Sequence, residues 1–205
     1  SRVQTKQHAA IRKLQRTLLR LFLQRIKHCI MRQKNTSPWH CVLVMGPQDA
    51  GKSTLINAIA GSRLQVGNWP GVTVEKKEAR ITWQQQKVRF VDLPGIYSLS
   101  PYSQEEVVAR DFLIANNCDC IINVIDATNI ERSLYLTVQL LELGLPMLLV
   151  FNIYDEAQKK GVNIDLDIVT KLLEVDAVTA VATKKQGVDE ILQAVTQLDL
   201  TKTPK

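Results

Sequence analysis

Three observations predict an α/β layered fold, with a mostly parallel sheet of six strands and helices on both faces. Strand-like and helix-like stretches alternate from residue 41 to residue 197. A short apolar run, 41–45, enters a glycine-rich loop, 46–53, that opens directly into a helical stretch. Two later apolar runs end on polar residues, Asp92 and Asn152, and in such a fold the carboxyl ends of the strands gather the ligand site.

The elements follow in order. Over 8–33, Ile11, Leu14, Leu18, Phe22, Ile26 and Ile30 recur at three- and four-residue steps among Arg and Lys, which predicts a basic amphipathic helix. Asn-Thr-Ser-Pro at 35–38 breaks it, so residues 1–36 form an extension and 37–205 the domain. After the strand at 41–45, residues 51–61 predict a helix stopped by Gly61. Gly67, Pro70 and Gly71 make 64–75 a loop. Alternating residues at 76–83 and from 87 to Asp92 predict a strand pair that turns at 84–86. A helix over 103–117, a buried strand at 120–127, a helix ended by Gly144 and a strand at 146–152 come next. The chain closes with a helix near 166–174, a weak strand at 177–182 and a helix at 187–197.

Charge is unevenly spread. Residues 1–34 hold ten Lys or Arg and no Asp or Glu, which leaves 16 basic against 20 acidic residues, or −4, in the remainder. The extension therefore calls for an acidic partner and the domain does not. The four cysteines are scattered; Cys118 and Cys120, two apart, would share one face of a strand, and small buried hydrophobes are the better reading than a metal pair. That usage fits a reducing compartment. No stretch reaches the roughly 20 apolar residues of a membrane-spanning helix. The chain opens on Ser1, as an excised piece of a longer protein does, and a membrane-bound parent is compatible with it.

The chemistry lies at the strand ends. In GPQDAGKST, Gly46 and Gly51 let successive backbone N–H groups turn inward around phosphates, with Asp49 and Ala50 between them. Lys52 adds a point charge near the β- and γ-phosphates, Ser53 is placed to ligate Mg²⁺, and the helix start favours the anion. Asp92, ending its strand, can share Mg²⁺ with Ser53, while Gly95 can offer its N–H to a γ-phosphate. Asn152 and Asp155 form an Asn-x-x-Asp pair; a carboxylate accepts from guanine N1–H and N2–H₂, whereas adenine would leave it unpaired. Thr73 either swings in to complete the Mg²⁺ shell or simply starts a strand.

The stretches GPQDAGKST, VGNWPGVTVE, DLPGIYSLSPYSQEEVVARDFL, DATNIERSLYLTVQLLELGLP and NIYDEAQKKG together resemble the G domain of the FeoB ferrous-iron transporter family, from about Cys41 to Leu198. The resemblance implies a Ras-like fold, GTP and GDP with Mg²⁺ as ligands, slow hydrolysis, and a parent in the bacterial inner membrane whose G domain faces the cytoplasm. By it, Lys52, Ser53 and Thr54 match the phosphate and Mg²⁺ positions, Thr73 the first switch, and Asp92 and Gly95 the second. Asn152 and Asp155 match the guanine-reading pair, with Val181 and Ala182 in the last base-contacting loop. Lys52, Thr73 and Gly95 are the candidate catalytic residues.

Four departures stand out. Pro47 replaces the Asn whose side chain helps bind K⁺ in potassium-activated relatives, so K⁺ activation is not expected. Asp49 puts a carboxylate where relatives carry Asn, which opposes an anion unless it points away or meets a cation. Val181 stands where a Ser hydroxyl steadies the last loop, which predicts looser GDP binding. Relatives carry a helical domain after the G domain; the sequence stops at Lys205, about where that domain would begin, and a basic helix is predicted in front of the G domain. As in the family, Ile96 after Gly95 cannot orient a water, which leaves catalysis to Mg²⁺, Lys52 and backbone amides.

For the extension, packing on the domain or on its own copy ranks first and an anionic lipid surface second; nucleic acid is disfavoured because Phe22 is its one aromatic face. Membrane segments of the parent, absent here, are the expected partner of the domain. Two rival readings are a nucleotide-sensing module with negligible turnover and an RNA- or ribosome-associated GTPase.

Overall fold

A computed structural model describes residues 38–100, 102–115 and 118–198; the helix predicted over 8–33, with Cys29, lies outside them. One seven-stranded sheet organises the described chain: β1 (His40–Met45), β2 (Leu64–Asn68), β3 (Glu75–Trp83), β4 (Gln86–Asp92), β5 (Cys120–Asp126), β6 (Met147–Asn152) and β7 (Asp176–Thr179). Their spatial order is β2-β3-β4-β1-β5-β6-β7. β1, β4, β5, β6 and β7 pair in parallel, whereas β3 runs antiparallel to β4 and β2 antiparallel to β3. Six helices accompany them: α1 (Lys52–Ala60), α2 (Gln104–Ala115), α3 (Ile130–Leu143), α4 (Tyr154–Lys159), α5 (Leu166–Leu173) and α6 (Val188–Gln197).

The period of two along each strand sorts the core into two layers. Cys41, Leu43 and Met45 of β1, with Ile121 and Ile125 of β5, join Leu113 of α2 and Leu136, Leu140 and Leu143 of α3. Val42 and Val44, with Ile122 and Val124, join Leu55 and Ile56 of α1 and Ile191, Leu192 and Val195 of α6. Strands covered on both sides read as continuous apolar runs, which is why β1, β5 and β6 stand out in the sequence.

Three expectations change. Residues 64–68 are a strand, not a loop, and raise the strand count from six to seven. β2 is an edge whose residues are half-buried or exposed, so no burial alternation marks it, and backbone pairing to β3 alone makes it a strand. Cys118 and Cys120 do not share a face. Cys118 precedes the strand and packs in the α2–α3 layer, while Cys120 packs in the opposite one. All three described cysteines are buried and free, and burial raises their thiol pKa, as suits small hydrophobes. Lastly, α4 is a short helix absent from the sequence reading.

The turn between β3 and β4 is as tight as predicted. Gln84 and Gln85 both take positive φ, 46° and 69°, the two-residue hairpin geometry whose twist matches its strands. Further on, α2 starts with a reciprocal cap: Ser103 Oγ accepts from the Glu106 N–H at 3.1 Å, and the Glu106 carboxylate accepts from the Ser103 N–H at 3.1 Å.

Candidate functional site

The carboxyl ends of β1, β4 and β6 bring the candidate residues to one edge of the sheet. β1 lies between β4 and β5, the point where chain order reverses and a crevice forms above the strand ends. From β1 the chain enters the loop 46–51, whose short 3₁₀ turn Gln48–Ala50 ends at Gly51 in the left-handed region, φ 78°. Both terminal glycines are required by their neighbours. A Cβ on Gly46 would meet the Val124 carbonyl oxygen at 2.3 Å, and one on Gly51 would meet Asn152 Nδ2 at 2.5 Å.

Lys52 opens α1 with only 5% of its surface exposed, and its ammonium donates to the Pro47 carbonyl at 2.7 Å. Burial lowers its pKa below the usual lysine range, against the opposing pull of Asp92 and Asp49. A cation is thus held inside the loop by the loop's own backbone, where an anion can take over the bond.

Next to it, Ser53 Oγ donates to Asp92 Oδ2 at 2.9 Å. Asp92 is buried, which raises its carboxyl pKa, and its second oxygen, Oδ1, is buried without a hydrogen-bond partner. Among the described residues few polar atoms are left in that state, and a bare carboxylate oxygen beside a hydroxyl suits a cation. Lys77 from β3, which sequence reasoning missed, donates to Ser53 Oγ at 3.3 Å and puts a positive charge beside the pair. Thr54 follows, half-buried, in the first turn of α1. Thr73 is exposed in the bend 71–74, and no described contact joins it to Ser53 or Asp92.

Beyond Asp92 the chain folds back on the loop. The Leu93 N–H donates to the Val44 carbonyl at 3.0 Å and the Ile96 N–H to the Gly46 carbonyl at 3.1 Å. Gly95 passes so close that a Cβ would meet Gln48 Cα at 2.5 Å. Ile96 is buried in the α2–α3 layer.

On the β6 side, buried Asn152 joins two loops. Its Nδ2 donates to the Ala50 carbonyl at 2.9 Å, and its Oδ1 accepts from the Ala182 N–H at 3.1 Å. The N–H of Ala182, a candidate base-contacting residue, is thus engaged by Asn152 in this structure. Ile153, a β-branched residue at φ 60°, makes the turn that starts α4 and sets Asp155 in its first helical turn. Asp155 meets Lys184 at 2.6 Å, and that hydrogen bond holds its carboxyl below the usual range. Lys184 lies just past the predicted Val181–Ala182 loop and carries no sequence signal of its own. Val181 pairs with Gln186 through two backbone bonds of 3.1 and 3.2 Å, which close the loop without a Ser hydroxyl.

Among the described residues no group of three or more His, Cys, Asp or Glu could hold a metal ion, and no helix is long and apolar enough to cross a membrane.

Comparison with known proteins matches this edge and its sheet to one family. The family model described as Ferrous iron transport protein B matches residues 40–195. The Fe(2+) transporter FeoB of Escherichia coli K12 is 40% identical over 156 residues, and that of Salmonella typhimurium LT2 is 42% identical. Each alignment covers 74% of this chain and 20% of the relative, so the chain spans about a fifth of the length of the curated relatives it matches. The cytosolic domain of L. pneumophila FeoB superposes with a TM-score of 0.76 at 40% identity, covering 80% of this chain and 65% of that one. A GDP-bound mutant of the S. thermophilus FeoB G domain gives 0.74 at 42% identity, covering 78% and 62%. The T. maritima FeoB G domain gives 0.72 at 37% identity, covering 77% of this chain and 96% of its own. The shared strand-end segments, the matched fold and the family model agree: this chain belongs to the ferrous iron transport protein B family, FeoB, and corresponds to its G domain.

Proposed function

We propose that the chain is the GTP-hydrolysing switch domain of a ferrous-iron transporter, converting GTP to GDP and phosphate with Mg²⁺. The observation that carries this reading is the pair of hydrogen bonds made by the Asn152 side chain, one to the Ala50 carbonyl of the phosphate loop and one from the Ala182 N–H, which ties the candidate phosphate and base loops together. GDP-bound relatives of the same fold support it.

Loop amides from Asp49 to Ser53 and the start of α1 take the phosphates, and Lys52 exchanges its bond to Pro47 for a phosphate oxygen. Ser53 and Asp92 would hold Mg²⁺, which fits the bare Asp92 oxygen, and the ion would supply charge neutralisation to the bound phosphates. Thr73 reaches this site by movement of the bend between Trp69 and Val74, and Gly95 offers its N–H to the γ-phosphate from its position against Gln48. Asp155 reads guanine, with Lys184 released to the rim. Buried, apolar Ile96 cannot itself orient the attacking water, which falls to main chain or another residue; this favours slow turnover and keeps a nucleotide-sensing module as the second reading. Pro47 offers neither a side-chain oxygen nor an N–H, so the reaction is read as independent of K⁺. The domain works at the cytoplasmic face of a bacterial inner membrane, its partner is the membrane part of its parent, and the basic extension 1–36 meets anionic lipid or its own copy.

One experiment tests the core of this. GTP turnover with Mg²⁺, measured in Na⁺ and in K⁺ beside ATP as competitor, is expected to be slow, equal in the two salts and unaffected by ATP. ATP competing on equal terms would sink the guanine assignment. Absent single-turnover hydrolysis would leave the sensing module, and acceleration by K⁺ would refute the role given to Pro47.

A further inference from the structure

Asp49 is a carboxylate in a loop read above as an anion cradle, and its charge is felt inside that loop. It is among the groups that favour the charged form of buried Lys52. A phosphate bound beside Lys52 lies in the same field and is repelled by it.

The structure shows what restrains this charge. Asp49 Oδ2 accepts from the Tyr97 hydroxyl at 3.4 Å and lies 3.7 Å from Arg132 Nη1. The Arg132 guanidinium lies over the Tyr97 ring, 4.1 Å from its centroid. The three residues come from separate segments: the loop after β1, the stretch after β4 and the first turn of α3. With Asp126, Asn129 and Ser133 they line a cleft of about 20 Å³, room for a water but for no ligand of its own. Asp49 and Arg132 are 73% and 54% exposed, so as a stability contribution the pair is small. Its weight lies in where it holds the carboxylate.

We propose that Arg132 is a positioning residue for nucleotide binding: paired with Asp49 and stacked on Tyr97, it turns the Asp49 carboxylate away from the phosphates and offsets its charge. The stack also ties the stretch after Gly95 to the phosphate loop, so the clamp spans both. Arg is suited to this because its planar group can lie against the ring while its edge N–H groups stay free to pair. This rests on the reading of 46–53 as a guanine-nucleotide site.

The test is a binding cycle on the full chain, using a fluorescent GDP analogue with Mg²⁺ at low ionic strength. Arg132→Gln is expected to weaken binding by about five- to tenfold, the effect of one unit charge freed several ångströms from a phosphate at intermediate dielectric. Asp49→Asn in the Arg132→Gln background should return affinity to within about twofold of the parent chain, and added salt should shrink the loss. Asp49→Asn alone should bind more tightly than the parent chain. Tyr97→Phe, which keeps the ring and loses the hydroxyl, should fall between and serves if Arg132→Gln does not fold. Arg132→Gln binding like the parent chain overturns the proposal, as does a loss that Asp49→Asn fails to rescue. No binding by the parent chain would instead overturn the nucleotide reading on which it rests.

Discussion

Asp155 is a half-buried carboxylate held in its charged form by a neighbouring ammonium. Its hydrogen bond with Lys184 keeps it ionised to lower pH than an ordinary aspartate. A depressed carboxyl pKa acts in one direction: the charged acceptor is present above the unfolded value and is lost only as pH falls through the lowered folded one. Guanine preference should therefore persist across mildly acidic buffers. Asp155→Asn exchanges two acceptor oxygens for an acceptor and a donor, which suits the 2-oxo group of xanthine. Competition between GDP and xanthosine diphosphate is expected to reverse by at least about tenfold, the scale of one charge-assisted bond. A variant that still prefers guanine would remove Asp155 from base reading. The residues legible in the sequence, Lys52, Ser53, Asp92, Asn152 and Asp155, share a reason: each sits at a fixed offset from a strand end. Lys77, Tyr97, Arg132 and Lys184 reach the same edge only through space, across separations that no spacing rule records.

At the scale of elements, the segment joining β2 to β3 is fastened rather than loose. The Trp69 N–H donates to the Val74 carbonyl at 2.9 Å, closing a turn over Pro70 and Gly71. Its ring stands edge-on to Phe112 of α2, centroids 4.7 Å apart, and the Lys76 ammonium lies 5.3 Å from its centroid. Such a buried aromatic is a pivot for the exposed Thr73 bend: the bend can swing while its base stays packed. Trp69→Ala should cost about 3 kcal/mol in chemical denaturation, as a large buried aromatic does. Trp69→Phe should retain most of the stability. Equal losses in the two variants would assign the effect to the shape of the full indole, since its Nε1 is buried without a hydrogen-bond partner. The same region marks the limit of pattern reading. β2 lies on the rim with a glycine inside it, and α4 has Ala157 as its one fully buried residue, so neither leaves a periodic apolar trace. β1, β5 and β6, covered on both faces, leave a strong one.

Across the whole molecule, the sheet divides the work. The β2–β3–β4 side carries Lys77, Asp92 and the two candidate switch segments, whereas β6 and β7 carry the candidate base-reading loops. β1 stands between, and its loop touches both sides: Gly46 through Ile96, Ala50 through Asn152. Asn152 is the crossing point, since one amide group holds the phosphate loop with its nitrogen and the 182 loop with its oxygen. Ordering either loop therefore lowers the cost of ordering the other. The consequence is a linkage that survives cutting the ligand in two. Guanosine and pyrophosphate, added as separate molecules, should each tighten the binding of the other, by equal factors as reciprocity requires, in calorimetric titrations. Asn152→Ala should abolish that mutual gain, and independent binding by the unmutated chain would show that the two loops do not communicate. A nucleotide's ribose and α-phosphate would then be only one of two tethers between base and pyrophosphate, the other being a single asparagine.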